Sequence, residues 1–319
     1  MSDTTHLLIP YAAAQSAGCQ QALTGLALPH LDRLLAQLSP WNQNAGDEES
    51  LSPPHERALA RALGLPGADG ELPWAAWHVA QLGAAAPAAP QDAAWAFITP
   101  CHWQVRTDHV TLDDPAALGL DEAASRALLT VMAPWFAQDG ITLHYDQPTR
   151  WLAQGEVFAG LACAALDRAL FRDVRAWVQG AQQHAGLRRL HSEMQMLLYT
   201  HAWTEAREAQ GLPPVNAFWV HGAGRWSAPA ATPRAPHMPL QLREAALRED
   251  WSAWTSAWQA LDAGPIAELA ARVARGGAAQ LTLCGERSAL SWHTAPRSLR
   301  QKFLGVFRPQ RFASVREQL

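Results

Sequence analysis

The sequence predicts an α/β protein, a parallel-sheet core with an α+β lobe inserted into its connections. Three observations predict it. Short apolar runs such as residues 6–9 (HLLI) and 280–283 (QLTL) have the length and character of buried strands. Strand-like and helix-like stretches alternate in both flanks of the chain, the order that builds a parallel sheet with crossover helices. Between residues 96 and 155 the order becomes β-β-α-β-β, the pattern of a compact α+β lobe. The domains expected are a discontinuous α/β core, residues 1–95 and 213–319, and an inserted lobe with a helical return, residues 96–212.

The elements follow in order. Residues 6–9 are a first strand, stopped by Pro10. Residues 29–38 (PHLDRLLAQL) carry Leu31, Leu34, Leu35 and Leu38 on a helical stripe, with proline in the first turn. Residues 39–52 are polar and irregular, a surface loop by composition. Residues 53–65 form a second helix ended by Gly64, and the Trp-rich residues 72–81 a third. A Pro/Ala loop over 83–90 leads to a strand over 93–99. Residues 102–112 (HWQVRTDHVTL) alternate as a hairpin with Thr107 and Asp108 near its turn. Residues 120–136 are a helix that Asp121 can cap, with Glu122 at the positive end of its dipole. Two strands follow, 141–145 and 150–152, and then two helices, 166–178 and 187–203. A strand over 217–220 runs into a glycine turn at Gly222–Gly224. Residues 240–261 are helical, with Trp251, Trp254 and Trp258 on one face, and 265–275 form another helix. The strand 280–283 and a basic tail with a short strand over 303–307 close the chain.

Composition narrows the function. The 319 residues are 49% hydrophobic, enough for a sizeable core, and carry a net charge of −4 with a pI of about 6.3. No long basic run occurs, which disfavours nucleic-acid binding. No apolar run is long enough to span a bilayer, and the opening MSDTTHLLIPYAAAQ lacks the basic start and apolar core of a signal peptide. A cytoplasmic location is expected. Cys19, Cys101, Cys163 and Cys284 are widely spaced, so neither a zinc site nor a disulfide framework is expected, and reduced, buried thiols are. Fifteen Trp is a large excess, most of it packing. The Trp face of 240–261 reads as core or as a homodimer face.

Polar side chains and glycines concentrate in residues 189–225. His191, Glu193, His201, Asn216, His221 and Arg225 are the candidate ligand-binding residues there, with Arg287 after the last core strand. Strand ends are where α/β sheets place ligands, and glycine N–H groups beside an arginine suit a small anionic or phosphorylated ligand. The competing reading is that the glycines make a turn and Arg225 is solvated. The Gly222–Gly224 stretch is not a phosphate loop, since its lysine is missing and its spacing is wrong. No cofactor and no metal site is signalled. Glu286 and Arg287 read as an ion pair. Cys284 with His293 is a weak nucleophile pair. His102, Asp108 and His109 read either as an acid–base or metal cluster or as hydrogen-bonded surface groups. His55 and Glu56 open a helix and read as capping and surface charge.

Five stretches carry a resemblance to a known family: SLSPPHERALARALGL (50–65), TPCHWQVRTDHVTL (99–112), DGITLHYDQPTRWLA (139–153), LRRLHSEMQMLLYTHAWTEAREAQGLPPVNAFWVHGAGR (187–225) and LTLCGER (281–287). With them the chain resembles the bacterial RpfE-type regulatory proteins, also described as predicted phosphoglycerate mutases. That group is distantly similar to the archaeal-type cofactor-independent phosphoglycerate mutases of the alkaline-phosphatase superfamily. The resemblance implies an alkaline-phosphatase-like core. It also implies a two-metal site with a Ser or Thr nucleophile, the metals clamping the transferring phosphoryl group. The residues depart from that pattern. The first strand runs into Ile9-Pro10-Tyr11 where Asp-Gly belongs. No Asp/Glu segment with Gly-His follows Arg225. The last strand ends Cys284-Gly285-Glu286-Arg287 where Asp-His-Ser/Thr belongs. Hard divalent ions take oxygen or imidazole ligands, which proline, tyrosine, cysteine and arginine do not replace. The expectation is therefore a mutase-like protein that has lost its metal ligands and binds a ligand or regulates. The alternative is an active mutase or phosphatase with relocated catalytic residues.

Overall fold

The computed structural model describes residues 4–90, 92–178, 184–227, 233–295 and 310–319; the strand expected over 303–307 lies outside them. The chain divides into two compact units, residues 1–64 with 233–319, and residues 65–232. Elements are numbered along the chain.

The first unit is built on a four-stranded sheet of order β1-β9-β10-β2. Its strands are β1 (Thr5–Ile9), β2 (Ser39–Asn44), β9 (Ala279–Cys284) and β10 (Ala289–His293). Only β1 and β9 are parallel, and β10 runs antiparallel to both β9 and β2. The all-parallel core expected from the sequence is thus a mixed sheet. Residues 39–44 are its edge strand, where a polar loop was expected. SPWNQN carries no apolar alternation because both of its faces are largely solvated.

One face of this sheet is apolar. Leu7, Ile9, Leu281, Leu283, Leu290 and Trp292 pack with Leu31, Leu34 and Leu35 of α2 (Pro29–Gln37), the stripe predicted there. The N-terminal turn of α2 has no capping side chain of its own, since Leu28 precedes it. The buried Asp262 carboxylate accepts from the N–H groups of His30 (3.2 Å) and Leu31 (2.7 Å) instead. The Trp-rich stretch is two helices, α8 (Gln241–Leu247) and α9 (Trp251–Leu261), divided by Glu249 at φ +54° and Asp250, which caps α9. Trp254 and Trp258 are fully buried in this unit's own core, and Trp254 Nε1 donates to the Tyr11 carbonyl at 2.9 Å. Of the face read as core or as a homodimer face, Trp254 and Trp258 belong to this core, and Trp251 is partly buried against it. The other face of the sheet lies under α3 (Pro54–Leu63) and mixes Leu8, Cys284 and Ala289 with polar residues. His55, expected at the surface, is buried there at the start of α3, its ring 5.5 Å from that of Tyr11.

The second unit holds an antiparallel sheet of order β6-β7-β3-β8, with β3 (Ala94–Cys101), β6 (Thr142–Gln147), β7 (Arg150–Gln154) and β8 (Ala217–Arg225). The predicted hairpin forms as β4 (Trp103–Val105) and β5 (Val110–Leu112). The predicted central helix is α5 (Glu122–Gln138), with Asp121 Oδ1 accepting from Ala124 N at 2.7 Å. The helix expected over 166–178 lasts one turn, Leu166–Ala169. Phe171 then takes φ +59°, and Asp173 starts a separate 3-10 turn by accepting from Arg175 N. The helical return is α6 (Ala185–Thr200) and α7 (Ala202–Glu208). Leu128, Met132 and Phe136 of α5, Leu190 and Met194 of α6, and Phe218 and Trp151 of the sheet form its core.

Strand β8 pairs antiparallel with β3, so the two belong to one sheet rather than to a parallel core shared with β1 and β9. The unit boundaries accordingly fall at 64/65 and 232/233, not at the 95/96 and 212/213 expected. The glycine turn is also different. Gly222 (φ +61°) and Gly224 (φ +148°) lie inside β8, opposite a register shift between Trp95 and Phe97. A Cβ at Gly222 would come 3.0 Å from the Cβ of Trp74, and one at Gly224 2.9 Å from that of Pro73. The glycines let α4 (Trp74–Gln81) start in contact with the bulged strand.

Candidate ligand-binding site

Most of the residues singled out between 189 and 225 hold the second unit together. His191 on α6 is buried, and its Nε2 lies 3.1 Å from the Phe218 carbonyl with the two rings 4.0 Å apart. A carbonyl only accepts, so Nε2 carries the proton and Nδ1 is a buried lone pair without a partner. Burial lowers the imidazole pKa to about 4. Glu193 pairs with Arg189 one turn away at 3.5 Å. His201 caps α7, its Nδ1 accepting from Trp203 N at 3.0 Å. Asn216 accepts from Trp103 N through Oδ1 (2.7 Å) and donates to Trp103 O through Nδ2 (2.9 Å), acting as a strand's worth of backbone. Arg225 is paired with Glu156 and donates to the Asp92 carbonyl.

His221 is the exception. It lies on the sheet face opposite the Phe136–Phe218 core, with Nε2 3.1 Å from Thr99 Oγ1 and its ring 5.3 Å from Phe97. The same face brings together groups that sequence reasoning missed. His78 of α4 places Nε2 3.1 Å from Asp146 Oδ1, and Arg150 Nε donates to Asp146 Oδ2 at 2.7 Å. The Arg150 guanidinium lies 4.8 Å over the Phe97 ring. A carboxylate balanced by arginine and fixing a histidine tautomer is a competent positioning pair for proton transfer. Residue spacing gives no hint of it, because β6, β7 and α4 come together only through the sheet.

Other sequence candidates separate. His102 Nδ1 lies 2.9 Å from the Pro214 carbonyl, while His109 and Asp108 pair with each other at 2.6 Å on the exposed hairpin tip. In the first unit, Arg287 is paired with Glu48 rather than with Glu286, whose carboxylate accepts from Gln15 N at 2.9 Å. Cys284 is fully buried, which pushes its thiol pKa well up, and its register partner is Ala289. His293 pairs with Gln280 at the opposite end of β9, so no Cys284–His293 pair forms. All four cysteines are free and buried. Among the described residues no group of three or more His, Cys, Asp or Glu is placed to hold a metal ion, and no helix is long and apolar enough to cross a membrane.

The first unit contains a cavity of about 280 Å3 on the α3-covered face of its sheet. Period-2 alternation builds its floor: His6 of β1, Gln280 and Thr282 of β9 and Ser291 of β10 share one face. Thr282 Oγ1 is 2.9 Å from both His6 Nε2 and Ser291 Oγ, a chain across three strands. Burial lowers the His6 pKa to about 4, so the ring is neutral at neutral pH. Asn42 and Asn44 of β2 add amides, and Arg61 of α3 and Arg234 add guanidinium groups. Among the described residues no carboxylate lines the cavity. Arg61 has no carboxylate partner among the described residues. Neutral donors with two guanidinium groups suit an anion of a few heavy atoms.

No protein-family model matches the chain, and no curated protein matches it. Among solved structures it is similar to the cofactor-independent phosphoglycerate mutase from Thermoplasma acidophilum DSM 1728, at 12% identity over 95% of this chain and 95% of that one, with a TM-score of 0.35. It is similar also to the PH0037 protein from Pyrococcus horikoshii, at 10% identity over 95% of this chain and 90% of that one, with a TM-score of 0.39.

Proposed function

We propose that this is a phosphoglycerate-mutase-like, RpfE-type protein that binds a small anion in the cavity of its first unit and regulates, rather than transferring a phosphoryl group through paired metal ions. The observation that carries the reading is the cavity wall, which among the described residues has two arginines, a row of neutral donors and no carboxylate. A site for two divalent cations has the reverse composition, with carboxylates in the majority. The strand ends support the same reading. Ile9 and Leu283 are register partners, and the residues that follow them are Pro10, Tyr11, the buried Cys284 and Gly285. The one carboxylate at these strand ends is that of Glu286, which accepts from Gln15 N.

Calorimetric titration of the full chain with inorganic phosphate and with 3-phosphoglycerate tests the proposal. Binding of at least one is expected, weakened about tenfold or more in Arg61→Ala, the usual worth of a charge-assisted hydrogen bond. Absence of binding, or the same affinity in the variant, overturns it. The contact of His78 with Asp146 and Arg150 favours a second reading, retained chemistry in the second unit. A coupled assay for conversion of 3-phosphoglycerate to 2-phosphoglycerate, with turnover abolished in His78→Ala, is the result that would support it.

A further inference from the structure

The rim of the same cavity holds a group that a small anion alone does not use. Trp41 lines the cavity and is 55% exposed, the one exposed tryptophan among the described residues. Every other tryptophan is buried or partly buried, as this large apolar side chain usually is. The exposure has a local cause. Trp292 pairs with Pro40 and Ser291 with Asn42, so Trp41 is the extra residue of a β-bulge on the edge strand β2. A bulge re-aims side chains, and here it puts the indole on the face that Ser291 and His293 share. The indole and the His293 imidazole are stacked, 5.4 Å between centroids and 6° between planes. His293 is not part of the cavity wall, so it braces the indole without lining the cavity itself. The result is a braced aromatic plate beside a polar floor and the Arg61 guanidinium.

We infer that the ligand is an aryl or heteroaryl anion, whose ring stacks on Trp41 while its phosphate or carboxylate lies at Arg61. This rests on the anion-binding reading of the cavity. A braced ring adds stacking affinity without the entropy of ordering a mobile side chain. The volume agrees, since about 280 Å3 takes the charged group and its linker and leaves the ring at the rim.

The test uses the full chain and two matched pairs of probes in calorimetric titration, phenyl phosphate against methyl phosphate and benzoate against acetate. In at least one pair the aryl compound is expected to bind about threefold to tenfold more tightly. In Trp41→Ala that advantage is expected to vanish while methyl phosphate or acetate keeps its affinity, and in Trp41→Phe part of the advantage is expected to remain. Arg61→Ala is expected to weaken both members of the binding pair. Equal affinities within both pairs in the wild type, or a Trp41→Ala variant that weakens both members alike, overturns the inference and leaves anion binding standing. Failure of all four probes to bind overturns the anion-binding reading itself.

Discussion

His191, the first of the candidate residues along the chain, serves the fold rather than a ligand. Its Nε2–H goes to the carbonyl of Phe218, whose register partner Pro100 has no N–H to offer. Its place on a polar-rich segment made it look accessible, but α6 turns it inward. This has a consequence for stability. The folded chain holds the imidazole pKa at about 4 against an ordinary 6.5. Between these values the unfolded chain binds a proton that the folded chain does not. The stabilisation is therefore complete above pH 6.5 and is lost as pH falls towards 4. Between pH 7 and pH 4.5 this one group is expected to cost about 2 kcal/mol. Urea unfolding at the two pH values checks it. His191→Gln keeps a donor for Phe218 and should reduce the dependence by that amount, leaving the share of the similarly shifted His6, and an unchanged slope in that variant refutes the assignment. Asn216 gives the same lesson without titrating. Its amide completes the backbone pairing of Trp103, a structural use that a polar residue before a strand does not announce.

At the level of elements, the glycines of β8 decide how α4 packs. Gly222 has a left-handed φ of +61°, and a Cβ there would press on the Cβ of Trp74 (3.0 Å) and on Phe97 Cδ2 (3.1 Å). Gly222→Ala is expected to lose about 2 kcal/mol, from backbone strain plus crowding at a packed contact. Gly25→Ala, at a site with nothing within 4 Å and a right-handed conformation, is expected to change stability by less than about 0.5 kcal/mol. Comparable losses for the two in urea titrations would count against this account. Helices were the most legible elements. The stripe of α2, the glycine end of α3 and the Asp121 cap of α5 are written in neighbouring residues. The edge strand β2 was not legible, because hydrogen bonds to one neighbour hold it without any apolar alternation. The one-turn helix at Leu166–Ala169 was over-read, because the left-handed Phe171 that ends it is not a residue type that predicts a stop.

At the scale of the whole molecule, residues 65–232 are contiguous and contain the complete sheet β6-β7-β3-β8 and its core. A fragment of these residues is expected to melt in a single cooperative transition by circular dichroism. A broad, non-cooperative melt would show that its sheet needs the remainder of the chain. The sequence by itself determined the α/β character, most helices and the hairpin. Those features depend on the period of apolar residues and on caps and breakers a few positions away. The tertiary structure decided which strands pair, and with that, where the cavity lies. Period-2 alternation says that His6, Thr282 and Ser291 each leave a strand on one side, but not that the three sides are the same one. Only the register of β1, β9 and β10 joins them into one polar floor, and only the bulge in β2 brings Trp41 beside it. Strand pairing is a choice among distant partners of similar local character, so neighbouring residues do not encode it.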